Sequence, residues 1–271
     1  MRKIILPLFC MSVLWGCTSA PEPEPITKLG WFTNSAWSPE FLNGQVKSIV
    51  QKTYWVTEEN GEYIQGAHLT LKDLDSLGWV YDLALEFDPV GMVTVSQRLD
   101  DDGNVISYEE IHIEEGKYME TKIVKDDTAR TYMKFSHDEA GNFVHLEQFR
   151  LPEDTLFNSY DFKFDENGNW TGGQWSNYLG EPGWSHKFEH TDAGLVVANN
   201  NSNPDGKTSW NKLTYDENGF QVKWEGMSAD STIMDVTSKY PKIDDKGNWL
   251  VLVSIEKGEV VGMDVRTIEY Y

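Results

Sequence analysis

The amino-acid sequence predicts an all-β fold, an antiparallel meander of β-hairpins that curls into a single sheet, an open barrel or a spiral. Three observations predict this fold. Short turn sequences recur at a nearly constant spacing, the segments between them alternate apolar and polar residues, and aromatic residues make up 13% of the chain. A fixed period of about 20 to 50 residues indicates a repeat architecture, and alternation with period two indicates strands with one apolar face.

The recurring turn consists of an apolar or aromatic residue, Asp, two variable residues, Gly and often Asn. Clear copies occupy residues 87–91, 99–104, 164–169, 215–219 and 243–248, and shifted or more distant copies occupy residues 114–116, 138–142 and 191–194. The repeat spacing of 25 to 28 residues is read from Gly91, Gly116, Gly141, Gly168, Gly194, Gly219 and Gly247. An Asp side chain accepts hydrogen bonds from amides ahead of it, and Gly supplies the positive φ that closes the turn.

The segments between the turns have the pattern of half-buried strands. Tyr160, Phe162 and Phe164, for example, alternate with Asp161 and Lys163. Each period therefore holds two strands and two turns, and we expect the second turn to be the looser one.

The number of strands implies a strongly curved sheet. Residues 45–270 give roughly sixteen strands, and so wide a sheet should curl because strand twist accumulates. Helix is expected only as a turn or two at residues 38–42 and 72–77.

The N-terminus has the pattern of a targeting segment. Two basic residues, Arg2 and Lys3, precede an apolar stretch at residues 4–14. This stretch is too short to span a bilayer as a helix, which needs about 20 residues. It ends in Leu-Trp-Gly-Cys at residues 14–17, which resembles a lipobox, where a small residue precedes a cysteine that is diacylated and becomes the first residue of the mature chain. We therefore predict lipidation of Cys17.

An alternative cleavage site follows Ala20, and it would leave Pro21 at the new N-terminus, a poor site for ordinary signal cleavage. The lipobox itself has Trp15 where a small or β-branched residue is usual. Cleavage before Cys17 removes Cys10, so the mature chain would have one cysteine and no disulfide. Pro and Glu alternate over residues 21–25, which favours a stiff extended spacer.

The predicted domain organisation follows from these features. Residues 1–16 form a lipoprotein signal peptide, residues 17–28 hold the acylated cysteine and the Pro/Glu tether, and residues 29–271 form a single all-β repeat domain.

The turn units resemble the YD repeats of RHS-type proteins. Residues 42–49 (Leu-Asn-Gly-Gln-Val-Lys-Ser-Ile), followed by Tyr54, and residues 266–271 (Arg-Thr-Ile-Glu-Tyr-Tyr) resemble the ends of small YD-repeat-like lipoproteins common in the Bacteroidetes. The resemblance covers most of residues 41–271 and implies hairpin arrays at the cell envelope, largely of unknown role. The copies here are degenerate, and we expect none of the toxin cargo of large RHS proteins.

Charge narrows the range of partners. The chain has 23 Lys and Arg against 44 Asp and Glu, a net charge of −21. Cleavage before Cys17 removes Arg2 and Lys3, which leaves 21 against 44 and a net charge of −23. This argues against nucleic acid and anionic lipid surfaces, both of which require positive patches. We expect membrane contact through the lipid alone, in an outer-membrane lipoprotein that faces the periplasm or the cell surface.

Metal sites and catalytic motifs are not indicated by the sequence. The Asp-rich turns have Gly at position four, whereas a calcium-binding EF-hand loop has Gly at position six and Glu at twelve. His186 and His190 would lie about 13 Å apart on one strand, too far to share an ion. The sequence has no nucleophile elbow, phosphate loop or zinc motif. We predict no catalytic residue, no metal and no cofactor.

Aromatic residues in the second half suggest one candidate ligand. Several Trp residues there have Asn, Gln or Gly as neighbours, and Trp or Tyr platforms edged with amides suit flat sugar faces. The alternative is that a curved sheet buries its Trp residues against itself. A glycan site, if present, should comprise Trp175, Tyr178, Trp184 and Trp210.

Three functions are consistent with the sequence. The first is a non-enzymatic interaction or scaffold module with an envelope protein as partner. The second is a surface carbohydrate-binding lipoprotein. The third is a hydrolase, which would require a deep cleft with two facing carboxylates.

Overall fold

The computed structural model describes residues 27–29, 40–77, 82–139, 143–166, 169–192 and 194–271, and these contain nineteen strands and one short helix. The strands are β1 (Thr27–Leu29), β2 (Glu40–Leu42), β3 (Val46–Glu59), β4 (Glu62–His68), β5 (Leu83–Phe87), β6 (Val93–Leu99), β7 (Val105–Glu114), β8 (Lys117–Lys125), β9 (Thr128–His137), β10 (Phe143–Arg150), β11 (Thr155–Phe164), β12 (Trp170–Asn177), β13 (Pro182–His190), β14 (Val196–Ser202), β15 (Thr208–Tyr215), β16 (Gln221–Met227), β17 (Ile233–Ile243), β18 (Trp249–Glu256) and β19 (Glu259–Tyr270). The helix is α1 (Leu71–Leu77). The signal peptide, Cys17 and the Pro/Glu tether lie outside the described residues. No helix in the described part of the chain is long and apolar enough to cross a membrane.

Strands β3 to β19 form one closed antiparallel barrel. Each strand pairs with its neighbour in sequence except β4 with β5, and β19 returns to pair with β3. Strands β4 and β5 lie end to end along the same edge of β3, so the seventeen strands occupy sixteen positions around the barrel. The predicted all-β hairpin meander is confirmed, and its sheet is closed.

The predicted helical turns are half right. Helix α1 covers all of residues 72–77, between β4 and β5. Residues 40–42, however, pair with β1 in a separate two-stranded sheet, so the expectation of helix at residues 38–42 is wrong where the structure describes it.

The Asp turn has the geometry that its sequence predicts. The Asp216 amide donates to the Phe220 carbonyl oxygen at 2.9 Å, and the Gly219 amide donates back to the Asp216 carbonyl oxygen at 3.1 Å. The Asp216 carboxylate accepts hydrogen bonds from the amides of Asn218 and Phe220, both at 2.9 Å. Gly219 has a φ of +83°, which favours glycine.

We expected the second turn of each repeat to be the looser one. The turns at residues 177–181, 203–207 and 228–232 are instead as regular as the Asp turns. At Asn177, the amide donates to the Glu181 carbonyl oxygen at 3.0 Å, and the side-chain oxygen accepts from the amides of Leu179 and Glu181. The turns at Asn203 and Ser228 have the same backbone bonds. Asn and Ser oxygens accept these bonds as the Asp carboxylate does, so the Asp-centred sequence pattern does not detect them.

Turns alternate between the two ends of the barrel, because each repeat is a hairpin. Most Asp turns, including residues 88–91, 165–169, 216–219 and 244–247, lie at one end, which we name the Asp-turn end. Neighbouring repeats are joined there through tyrosines. The Tyr215 hydroxyl donates to the Val196 carbonyl oxygen at 2.8 Å, and the Tyr240 hydroxyl donates to the Gln221 carbonyl oxygen at 2.8 Å.

The first and last strands of the barrel are held together at the Asp-turn end by Asn248. Its side-chain oxygen accepts from the Asn43 amide at 2.7 Å, and its side-chain nitrogen donates to the Asn43 carbonyl oxygen at 2.8 Å and to the Tyr270 hydroxyl at 2.7 Å. The Tyr271 hydroxyl donates to the Phe87 carbonyl oxygen. These bonds join the beginning of β3 to the end of β19.

Contacts between non-neighbouring strands identify the inner face of the barrel, because side chains converge on the concave side of a curved sheet. Tyr160 of β11 reaches His186 of β13, with ring centroids 5.9 Å apart, across Gly173 of β12. The strand register carries this assignment around the whole barrel, since alternate residues face inward.

The described strands leave a hollow interior. Each buried apolar cluster among the described residues draws its barrel residues from a few adjacent strands, so no apolar core joins opposite walls. Buried apolar clusters lie on the inner face, one around Leu85 and Val93 and another around Leu146, Tyr160 and Phe162. Sixteen strand positions, about 4.8 Å apart and tilted roughly 40°, give a barrel roughly 30 Å across between backbones.

Candidate functional site

One sector of the inner face, on strands β11 to β17, is polar but uncharged. None of its inward-facing residues is Asp, Glu, Lys or Arg. The inward-facing polar and aromatic residues include Asn158, Tyr160, Trp175, Asn177, His186, Asn199, Asn201, Ser209, Asn211 and Trp224. The outer face of the same strands carries Asp161, Lys163, Lys187, Glu189, Lys212, Lys223, Glu225, Asp235 and Lys239. We name the set Tyr160, Trp175, His186, Asn199 and Asn201 the amide–aromatic surface.

Tyr160 anchors the aromatic half of this surface. Its side chain is 1% exposed, and its ring lies 4.9 Å from the Trp175 ring and 6.0 Å from the Trp170 ring. It lies over Gly173, where a Cβ would be 2.4 Å from the Tyr160 hydroxyl. Burial raises the pKa of Tyr160, so the phenol stays neutral. Trp175 therefore rests on a ring that is itself fixed by the adjacent strand.

His186 and Asn201 form the centre of the polar half. His186 Nδ1 lies 2.7 Å from Asn201 Oδ1, and Asn201 Nδ2 donates to Ser209 Oγ at 3.0 Å. An amide oxygen only accepts, so Nδ1 carries the proton and Nε2 is the acceptor nitrogen of the neutral ring. Burial lowers the pKa of His186, against the opposing effect of the Asn201 hydrogen bond. At neutral pH the imidazole is therefore uncharged.

Asn199 presents a buried acceptor. The residue is 3% exposed, and its Oδ1 has no hydrogen-bond partner among the described residues. Leaving a buried polar atom unsatisfied costs about 1–3 kcal/mol. Next to it on β15, Asn211 lies over Gly226 and accepts a 3.0 Å hydrogen bond from Trp224 Nε1. Asn199 thus differs from Asn211 in having an oxygen that no described residue binds.

A second inner sector, formed by β19, β3 and their neighbours, is charged. Thr53 Oγ1 donates to Asp264 Oδ1 at 2.7 Å, and Arg266 Nε donates to Gln51 Oε1 at 2.9 Å. The Arg266 guanidinium lies 3.4 Å from the centre of the Trp249 ring. Burial raises the pKa of Asp264, although Thr53 and Arg266 oppose the shift.

Glu109 on β7 belongs to the same charged sector. Burial raises its pKa to about 7, and the attraction of Arg98 offsets only part of that rise. Two buried oxygens lie here, Glu109 Oε2 and the Thr121 hydroxyl of the neighbouring strand. Neither has a hydrogen-bond partner among the described residues. The interior therefore has one sector suited to neutral groups and another that holds buried charge.

A cavity of about 670 Å³ opens at the Asp-turn end between the β11–β12 and β13–β14 turns. Its lining includes Asp165, Asn169, Phe188, His190 and Asp192. Two of these, Phe188 and His190, follow His186 on the inner face of β13. Among the described residues, no group of three or more His, Cys, Asp or Glu side chains lies close enough to hold a metal ion.

The four residues that the sequence suggested for a glycan site do not share one surface. Trp175 faces inward, and Trp184 lies at the register shift between β12 and β13. Tyr178 lies in the β12–β13 turn and is 61% exposed. Trp210 pairs with Asn200 and Met227, faces outward and is 38% exposed.

Four residues of the amide–aromatic surface were not predicted from the sequence, namely Tyr160, His186, Asn199 and Asn201. The sequence of β15 contains one signal that could have separated the two faces: Trp210 alternates in phase with Lys212, while the positions between and beside them hold Ser209, Asn211 and Leu213. The charged residue marks the phase of Trp210 as the outer one.

Comparison with known proteins shows a similarity of fold alone. No family model matches the sequence, and no curated protein matches it. A porin-like protein from Bacteroides uniformis has a TM-score of 0.51 at 8% identity, over 84% of this chain and 99% of that one. A porin-like protein from Bacteroides vulgatus has a TM-score of 0.36 at 11% identity, over 83% of this chain and 98% of that one. The TcdB2-TccC3-Cdc42 structure has a TM-score of 0.34 at 11% identity, over 81% of this chain and 12% of that one. The chain is thus similar in fold to the Bacteroides uniformis protein, and its resemblance to YD-repeat proteins stays a prediction.

Proposed function

We propose that this protein is a non-enzymatic, lipid-anchored protein of the cell envelope whose barrel stands in water and acts as an interaction module. The observation that carries the proposal is the charge on the outer wall. A barrel that spans a membrane needs an outward apolar band about 25 Å tall, and Lys or Arg at the bilayer midplane costs about 2–4 kcal/mol.

The outward charges lie within the strands, not only at their ends. Lys223 Nζ lies 2.9 Å from Glu225 and 3.7 Å from Asp235, across β16 and β17. Elsewhere, Glu110 is opposite Lys122 on β7 and β8. Exposed pairs of this kind contribute about 0–1 kcal/mol in water, but lipid would have to accommodate each of them as a buried charge. A water-facing wall leaves the predicted lipid on Cys17 as the membrane attachment.

The chemistry of the amide–aromatic surface supports binding over catalysis. It offers stacking and hydrogen-bonding groups but no carboxylate, ammonium or guanidinium group. Apart from the neutral His186 and the buried, neutral Tyr160, it therefore lacks groups for proton transfer or nucleophilic attack.

Cys17→Ala tests the anchor and the water-facing wall together. We expect the variant to leave the membrane fraction and to purify as a folded β-rich protein without detergent. Cys10→Ala is the matched control, because it removes the other cysteine of the chain and should leave the protein in the membrane. Retention of Cys17→Ala in carbonate-washed membranes, or a need for detergent, would overturn the proposal.

Protease shaving of intact cells separates the two orientations. Digestion of the whole pool would place the domain at the cell surface, and full protection would place it in the periplasm. Carbohydrate binding is the second candidate function, and the amide–aromatic surface is the observation that favours it.

A further inference from the structure

The inner face of β11 to β17 differs in charge from the rest of the molecule. The chain carries a net charge of −21, and the outer face of β11 to β17 is lined with Lys, Asp and Glu. The inner face of the same strands carries none of these residues. A polar protein surface in water usually carries charged residues. An uncharged polar lining over seven adjacent strands therefore indicates a neutral polar ligand.

The lining has the groups that a neutral sugar uses. Asn199 Oδ1 is a buried acceptor without a partner among the described residues, so a ligand hydroxyl that donated to it would satisfy a buried polar atom. Asn201 is oriented by His186 and Ser209, and each amide atom can make a further hydrogen bond. A sugar hydroxyl both donates and accepts, and it matches such mixed groups.

Trp175 supplies a rigid apolar face. Its ring packs at 4.9 Å on Tyr160, which Gly173 and Trp170 hold in place. A fixed platform loses little conformational entropy on binding. The barrel, roughly 30 Å across between backbones, has room for several sugar rings beside its wall.

The same groups disfavour other ligands. Phosphate and carboxylate groups are bound by Arg and Lys, which this sector lacks. Among the described residues of these strands a cationic ligand would find no inward-facing carboxylate, since Asp165 and Asp192 of the cavity lie in the turns.

We propose that the amide–aromatic surface binds an uncharged oligosaccharide, with Trp175 stacked on a sugar ring and Asn199 and Asn201 bound to its hydroxyls. The proposal rests on the proposed function, since it requires a barrel interior that is open to water.

The test uses the purified Cys17→Ala chain on an array of neutral and acidic glycans that includes maltohexaose, cellohexaose, mannohexaose and hexagalacturonate. The strongest binder is then titrated by calorimetry. We expect saturable binding of at least one neutral glycan and no preference for hexagalacturonate. Binding of no neutral glycan, or preference for the acidic one, overturns the proposal.

Matched variants locate the site. Trp175→Ala and Asn201→Ala should each weaken binding at least tenfold. Trp210→Ala and Asn200→Ala, which change the same residue types on the outer face, should stay within twofold of the parent. Equal losses in the inner and outer variants would contradict the assignment.

Asn199→Leu separates binding from folding. Because the variant removes a buried unsatisfied oxygen, its melting temperature should equal or exceed that of the parent, while its affinity falls at least tenfold. Unchanged affinity would remove Asn199 from the site.

Failure of this proposal and failure of the proposed function look different. A protein that stays in membranes without Cys17 contradicts the water-facing barrel, whatever it binds. A soluble, folded barrel that binds no neutral glycan contradicts only the ligand.

Discussion

Replacing Gly173 by Ala tests the packing that shapes the amide–aromatic surface. A Cβ at this position would lie 2.2 Å from the Asp161 carbonyl oxygen and 2.4 Å from the Tyr160 ring. Favourable contacts between carbon atoms are about 3.5–4.0 Å, so the backbone or the ring must move. Overpacking costs about 1–3 kcal/mol, occasionally more. We expect a loss near the upper end, about 3 kcal/mol, because the nearest atom belongs to the backbone.

Gly183→Ala is the matched control on the neighbouring strand. A Cβ there would meet its nearest atom, the Trp175 carbonyl oxygen, at 3.5 Å, which is an ordinary contact. Its free energy of unfolding should stay within about 1 kcal/mol of the parent, or rise slightly because Ala restricts the unfolded chain. Urea unfolding followed by Trp fluorescence measures both variants. If they agreed within about 0.5 kcal/mol, the close approach of Tyr160 to Gly173 would impose no constraint and the reasoning would be refuted.

Two further predictions concern a turn and a buried carboxyl. Asp216→Ala removes the acceptor of two amide hydrogen bonds and should lower the free energy of unfolding by about 1–2 kcal/mol in urea titrations. Glu217→Ala, which changes an exposed residue of the same turn, should leave the free energy of unfolding unchanged. Equal effects of the two variants would contradict the role of the Asp216 carboxylate in the turn. The folded-state pKa of Glu109 is raised by burial from 4.5 to about 7. The folded state therefore keeps a proton that the unfolded chain loses between these values, and stability should fall as pH rises through that window. The Glu109→Gln side chain cannot ionise, so this variant should be more stable than the parent at pH 8, by at most about 3 kcal/mol. If the unfolding free energies of variant and parent changed in parallel from pH 4 to pH 8, this prediction would be wrong.

The sequence predicts the repeat well because each repeat is determined locally. An Asp or Asn oxygen, a Gly with positive φ and an alternating strand on either side all act within one hairpin. Closure of the barrel is a different matter. It depends on pairing β19 with β3 and on Asn248, whose bonds to Asn43 join residues 205 positions apart. No local pattern specifies such a contact, which is why an open sheet, a barrel and a spiral were equally compatible with the sequence.

The face of the sheet on which each side chain lies cannot be predicted from the sequence, for a related reason. A one-residue slip exchanges the faces of a strand, and register shifts next to the turns reset the alternation in most hairpins. Phe164, for example, pairs with Trp170 while Lys163 pairs with Gly172. Aromatic composition therefore identified Trp175 and Trp210 together, although they face opposite sides of the wall. The lipid on Cys17 stays a prediction, since that residue lies outside the described part of the chain.

The same register shifts give the barrel both its curvature and its lining. A bulge bends a strand and increases its twist. Because the hairpins of the Asp-turn end each have a register shift, every repeat receives a similar bend, and a ring of such hairpins closes. The shift also turns the residue after the Asp turn inward, as it does for Trp170, whose ring packs 4.5 Å from Phe188. Aromatic residues before and after the turn thus line the Asp-turn end, and the alternation beyond it sends amides inward and charges outward. One local feature, repeated, therefore separates a charged outer wall from an uncharged inner face on β11 to β17, and this separation is what makes that inner face a binding surface and the exterior a surface for water.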